Sequence, residues 1–81
     1  MISNEELLAI RQRAENATAG PWKAFIEDRD MQCGSSFIQT NGEDIELTGA
    51  TEEDYDFIAN ARQDIPKLLD EIERLKSLLN L

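Results

Sequence analysis

The stretch Asp54-Tyr55-Asp56-Phe57-Ile58-Ala59-Asn60-Ala61-Arg62-Gln63-Asp64-Ile65-Pro66-Lys67-Leu68-Leu69-Asp70-Glu71-Ile72-Glu73-Arg74-Leu75-Lys76-Ser77-Leu78-Leu79-Asn80-Leu81 decides what the rest of the chain must do. Ile65, Leu68, Ile72, Leu75 and Leu79 recur at alternating steps of three and four, so they form one apolar seam on a helix, widened by Leu69 and Leu78. A seam of this kind needs a partner surface. On the polar side Asp70 precedes Arg74 by four residues, the favourable order for a helical ion pair worth about 0.2 to 0.5 kcal/mol. Pro66 cannot donate a backbone hydrogen bond and crowds the preceding turn, so a break or sharp kink is expected at residues 63–65. Asp64 would then cap a new helix over residues 65–80, long for a small domain and expected to overhang it.

Working toward the N-terminus, Thr51-Glu52-Glu53-Asp54 has an N-cap residue followed by three acids in the first turn, where the positive end of the helix dipole favours them. A helix is expected over residues 52–63. Tyr55, Ile58, Ala59 and Arg62 share one side and Phe57 and Ala61 another, so this helix is expected to be well buried. Before it, Asn41-Gly42 is a strong hairpin signal, since both residues tolerate the positive φ of a type I′ turn. Strands are expected on either side, at residues 36–40 and 44–48, with Ile45 and Leu47 alternating with Asp44, Glu46 and Thr48. Residues 22–27 read as another strand, with Trp22, Ala24 and Ile26 on one face and Lys23 and Phe25 on the other. At the start, Ile2-Ser3-Asn4-Glu5-Glu6-Leu7 carries an N-cap, a capping-box acid and a hydrophobic staple. A helix follows over residues 4–18, ended by Gly20-Pro21. The expected fold is a single α+β domain in the order α-β-β-β-α-α, with a small antiparallel three-stranded sheet covered on one face by helices.

Eighty-one residues bury a thin core, and oligomerisation is a natural remedy. The formal charge is −9 and unevenly placed: between Arg29 and Arg62 there is no Lys or Arg, while eight carboxylates lie there. Nucleic-acid and anionic-membrane binding both require a basic face, so neither is expected. Cys33 is the single cysteine and cannot form an internal disulfide, and no segment has the length of a membrane span or signal core. The expected location is the cytoplasm.

The chain has no histidine, which excludes Ser-His and Cys-His nucleophile pairs and histidine-containing zinc sites. Cys33-Gly34-Ser35-Ser36 offers a thiol without a visible base and reads as a loop cysteine. Glu52, Glu53, Asp54 and Asp56 have the charge for calcium but lack the glycine and terminal glutamate of an EF-hand loop. No catalytic residue, metal or cofactor is therefore assigned. Trp22 and Arg62 stand out, because an indole face and a planar guanidinium together can hold a base and a phosphate. Lys23 and Arg29 would assist them. The competing assignment makes Trp22 a core anchor and pairs Arg62 with Asp64, Asp56 or an acid of the sheet.

Two stretches, Arg13 to Trp22 with its Ala17-Thr18-Ala19-Gly20-Pro21-Trp22, and Phe57 to Leu75 with Phe57-Ile58-Ala59-Asn60-Ala61-Arg62-Gln63-Asp64-Ile65-Pro66-Lys67-Leu68-Leu69, resemble a widespread group of short accessory proteins of tailed phages and prophages. The resemblance covers roughly a third of the chain; members often carry Pro where this chain has Ala19. It implies a non-enzymatic accessory protein in the host cytoplasm and brings no catalytic residues. Two functions of different class are compatible with it. One is a small homo-oligomeric binder that sequesters an anionic nucleotide signal at Trp22 and Arg62. The other is an acidic inhibitor whose Glu43 to Asp56 face occupies a basic surface of a host protein. Self-association is expected through Ile65, Leu68, Ile72, Leu75 and Leu79.

Overall fold

Thr51 accepts the Asp54 backbone N–H on its hydroxyl at 3.1 Å, and the Asp54 carboxylate accepts the Thr51 N–H at 3.0 Å, so the chain enters its longest element through a complete capping box. The computed structural model describes residues 1–80. Its elements are α1 (Asn4–Asn16), β1 (Lys23–Phe25), β2 (Phe37–Gln39) and α2 (Glu52–Leu78). The sheet has two antiparallel strands, with Ala24 opposite Ile38 and Phe25 opposite Phe37. The order α-β-β-α replaces the expected α-β-β-β-α-α, and each strand is shorter than its hydrophobic pattern allowed.

The expected third strand is reduced to a single bridge, Ile38 with Ile45, closed by backbone hydrogen bonds of 2.8 and 2.9 Å. Side chains take the backbone groups that a longer ladder would use. Thr40 Oγ1 accepts the Gly42 N–H at 2.9 Å and donates to the Glu43 carbonyl at 2.8 Å. Beyond Ile45, the Leu47 N–H donates to the Tyr55 hydroxyl at 3.0 Å. The Asn41 N–H leaves the hairpin to donate to the Ala19 carbonyl at 3.0 Å. Neither Asn41 nor Gly42 has positive φ, so the expected type I′ turn does not form. At Gly42 the constraint is one of space: a Cβ there would lie 3.0 Å from Thr18 Cγ2, so a side chain needs the exposed Thr18 to shift by a few tenths of an ångström.

Helix α1 begins at Asn4 with Ser3 Oγ accepting the Glu6 N–H at 3.1 Å, but the expected return bond to the Glu6 carboxylate does not form, and the helix ends at Asn16 with an extended Ala17. The two lost residues free the Thr18 carbonyl, which accepts from both Trp22 Nε1 at 2.9 Å and Arg62 Nε at 3.0 Å. Two donors, one from Trp22 four residues on and one from Arg62 of α2, outweigh one more helical hydrogen bond.

The expected break at residues 63–65 is absent; α2 runs through Pro66 without interruption. Contacts anchor the helix on both sides of the proline. Upstream, Arg62 holds Thr18, and Gln63 holds the Trp22 backbone from both its amide atoms. Downstream, Leu69 is buried, and Arg11 of α1 reaches Asp70 and Glu73 at 3.1 Å each. Helix α1 thus lies antiparallel along α2 and splints it. Asp70 pairs with Arg11 in place of the expected Arg74, which pairs with Glu71 instead.

The core sits at the sheet end of the molecule, where Ala24, Ile26, Ile38, Tyr55 and Ala59 cluster under partly buried Trp22, Ile45, Leu47 and Ala50. Helix α2 alone among the helices packs on the sheet. Contrary to expectation its first half is not well buried: Phe57 is 75% exposed and Ile58 is also open. The molecule is a rod of 52 × 20 × 20 Å, a folded head on a two-helix stalk.

Two substitutions test this arrangement. Pro66→Ala restores a helical donor and relieves a clash, so it should raise stability by about 1 to 3 kcal/mol in denaturant unfolding; no gain would mean that the helix breaks there. Tyr55→Phe leaves the Leu47 N–H without its partner and should cost about 1 to 3 kcal/mol in the same measurement.

Candidate functional site

Two surfaces carry the chemistry left over from folding. The first is a groove between the end of α1 and the middle of α2. The small residues Ala14 on α1, Ala17 just past its end and Ala61 on α2 hold the helices close yet leave a channel of about 450 Å³, walled by Ile10, Ile58 and Ile65 and bordered by Trp22, Arg13 and Arg62. Trp22 and Arg62, singled out from the sequence, therefore share one site. Both point donors at the Thr18 carbonyl, so the indole N–H and the guanidinium Nε are already engaged. Arg62 pairs with neither Asp64 nor Asp56, while Trp22, half-buried, packs on the core cluster.

The other two expected contacts lie elsewhere. Lys23 sits on the outer face of the sheet, its ammonium 5.0 Å from the Phe25 ring centre, over a Phe25–Phe37 stack with centroids 5.2 Å apart. Arg29 is held by three carboxylates: Nε and one terminal nitrogen reach Asp30 at 3.0 and 2.9 Å, and the terminal nitrogens reach Glu52 at 2.8 Å and Asp56 at 2.8 and 3.0 Å. A tight turn presents it: Asp28 adopts a left-handed φ of 68°, and the Arg29 and Asp30 N–H groups both donate to the Ile26 carbonyl. Arg13 and Gln63 are the residues that sequence reasoning passed over. Arg13 follows a helical repeat from Ile10 and Ala17 and was legible as a groove neighbour; Gln63 carried no signal, because its role depends on the Trp22 backbone lying opposite.

The second surface is electrostatic. Residues 23–56 contain ten carboxylates against Lys23 and Arg29, so eight of the nine net negative charges lie in the head and the stalk is almost neutral. Glu43, Asp44 and Glu46, on the segment that failed to become a strand, are all exposed. The Arg29 guanidinium holds the Asp56 and Asp30 carboxyls below the usual carboxylate range, Asp30 also accepting the Ile26 N–H, and is itself pushed up by Asp56. Cys33 is exposed and free. Among the described residues no group of three or more His, Cys, Asp or Glu is placed to hold a metal ion, and no helix is long and apolar enough to cross a membrane. Comparison with protein-family models, with curated proteins and with solved structures finds no match to this chain.

The Arg29 clamp sets a pH dependence. Because the folded pKa values of Asp30 and Asp56 are depressed, their contribution is present above about pH 4, the unfolded value, and is lost as pH falls through the lower folded values. In Arg29→Gln, carbon-detected NMR titration should show both carboxyls moving up toward ordinary values, and the fall in stability below about pH 4 should become shallower, because folded and unfolded chains then take up these protons over the same range. Unmoved titrations would remove the clamp.

Proposed function

We propose that the chain is a non-enzymatic binding protein, a phage or prophage accessory factor whose acidic head occupies a basic surface of a host protein. One observation carries this reading: the negative charge is concentrated in the head, and the single guanidinium there is consumed by three carboxylates, leaving Glu43, Asp44 and Glu46 exposed for a partner. Their rigid base is the bridge between Ile38 and Ile45. Concentrated like charge raises the encounter rate with an oppositely charged surface and makes the complex sensitive to salt.

The second reading, an anionic nucleotide-type ligand, is favoured by the shared groove of Trp22 and Arg62, with Arg13 in the place expected of Lys23 and Arg29. It requires the terminal nitrogens of Arg62 and Arg13 to outweigh the repulsion of the net charge.

Affinity capture from host extract at low and high salt, with wild type and with Glu43→Lys, Asp44→Lys, Glu46→Lys, separates the two. The expected result is a captured protein with a basic surface, released as salt rises, whose binding to the purified triple variant falls by a factor of about ten or more. A partner that the triple variant binds equally well would overturn the reading. Calorimetric heat from cyclic or linear nucleotides, abolished in Arg62→Ala, would replace it with the second.

A further inference from the structure

We propose that the stalk is half of an antiparallel homodimer in which α2 packs along α2 of a second copy, about a two-fold axis between Leu68 and Leu69. The uninterrupted helix carries the three-four spacing back past Pro66, so that Ile58, Ala61, Ile65, Leu68, Ile72 and Leu75 lead to the C-cap Leu79 as one seam of three heptads. Helix α1 lies along one side of it, over Leu69 and Ile72 and across the groove from Ile58, Ala61 and Ile65. Leu68 stays 62% exposed, Leu75 45% and Leu79 66%.

The area agrees with a missing copy. The chain exposes 6191 Å², whereas a compact monomer of 9.2 kDa exposes about 4,900 Å². Its radius of gyration is 15.7 Å, against about 12 Å for a compact chain of this length. The excess surface exceeds the roughly 800 Å² per partner that a stable interface removes.

Shape and charge fix the direction. The seam has a hollow end, where Ala14, Ala17 and Ala61 floor the groove, and a bulky end of Leu75, Leu78 and Leu79. A two-fold axis between Leu68 and Leu69 lays each bulky end over the other copy's hollow end, the self-complementary match that an isologous contact demands. Beside the seam, Asp64, Lys67, Glu71 and Arg74 alternate in sign and are exposed. Reversed about that axis, this series faces itself as opposite charges to within one residue, Asp64 nearest Arg74 and Lys67 nearest Glu71 of the second copy. Arg13 and Arg62 at the hollow end meet the carbonyl-rich C-terminus of the partner helix, which favours cations. A parallel pairing would instead set two heads of eight net negative charges side by side.

The test uses the full chain alone, so that its outcome is independent of any host partner. Sedimentation equilibrium at micromolar concentration should give the dimer mass. Leu68→Glu, at the axis and exposed in the single chain, should keep its helical circular dichroism and raise the dimer dissociation constant at least about 100-fold. Lys67→Glu should weaken the dimer, and adding Glu71→Lys should restore it. Spin labels on Glu53→Cys in a Cys33→Ser background should lie about 45 Å apart or more across antiparallel helices, at 1.5 Å per residue, and well under about 30 Å in a parallel pair. A monomer mass for the wild type, with the groove left to another ligand, would overturn the proposal, as would the short spin-label distance.

Discussion

The fold depends on one buried hydroxyl. Tyr55, in the first turn of α2, accepts the Leu47 N–H at 3.0 Å and lies 3.1 Å from both the Ser36 and Leu47 carbonyls, either of which its proton can reach. Three backbone groups from the two sides of the hairpin thereby find their partner on the helix. Such groups are costly to bury unpaired, and the sheet, with only two short strands and a bridge, cannot pair them itself. The ring beneath the hydroxyl completes the cluster around the fully buried Ile38. Tyr55 does through one side chain what a third strand would have done through its ladder.

That solution divides the molecule into two unlike parts. In the head, apolar residues from both strands, the bridge segment and α2 enclose a core. Among the described residues the stalk has a single buried one, Leu69, and it is held by contacts across its surface: Arg11 to Asp70 and Glu73, Lys76 to Asn4, and the shared Thr18 carbonyl at the junction. Exposed ion pairs of this type contribute little. The α1–α2 junction and the head therefore carry the stability of the chain, and the stalk presents its apolar seam outward. Charge follows the same division, since the acids concentrate in the head while the stalk alternates in sign. The partner surface proposed for the head and the self-contact proposed for the stalk draw on different residues.

Much of this was legible from local pattern. Ser3 and Thr51 cap their helices because a hydroxyl that accepts from the third helical residue needs nothing beyond four consecutive residues. Ala24 and Ile26 face inward and Lys23 outward, because alternation along an extended chain is a property of the backbone. The seam from Ile65 to Leu79 was visible for the same reason. Trp22 and Arg62 were identified by chemistry and do meet; Lys23 and Arg29 were identified by charge alone and do not join them. For Arg29 the reason is direct: besides its neighbour Asp30, Glu52 and Asp56 on α2 lie 23 and 27 residues away in sequence yet meet it in space, so the charge was claimed before any ligand could use it.

By itself the sequence determined where helices start, which faces are apolar, how charge is distributed and which chemistries a chain without histidine lacks. Tertiary structure alone decided the number of strands, the continuity of α2 and the residues of the groove. Each of those turned on a competition between a backbone preference and side-chain partners, among them Tyr55, Arg62, Gln63 and Leu69 from elsewhere in the chain. The strand propensity of residues 44–48 lost to the hydroxyls of Thr40 and Tyr55; the tendency of Pro66 to end a helix lost to anchors at Arg62, Gln63 and Leu69; the last turn of α1 lost to two donors converging on Thr18. A local preference amounts to at most about 3 kcal/mol, and a few well-placed hydrogen bonds and one buried leucine exceed it.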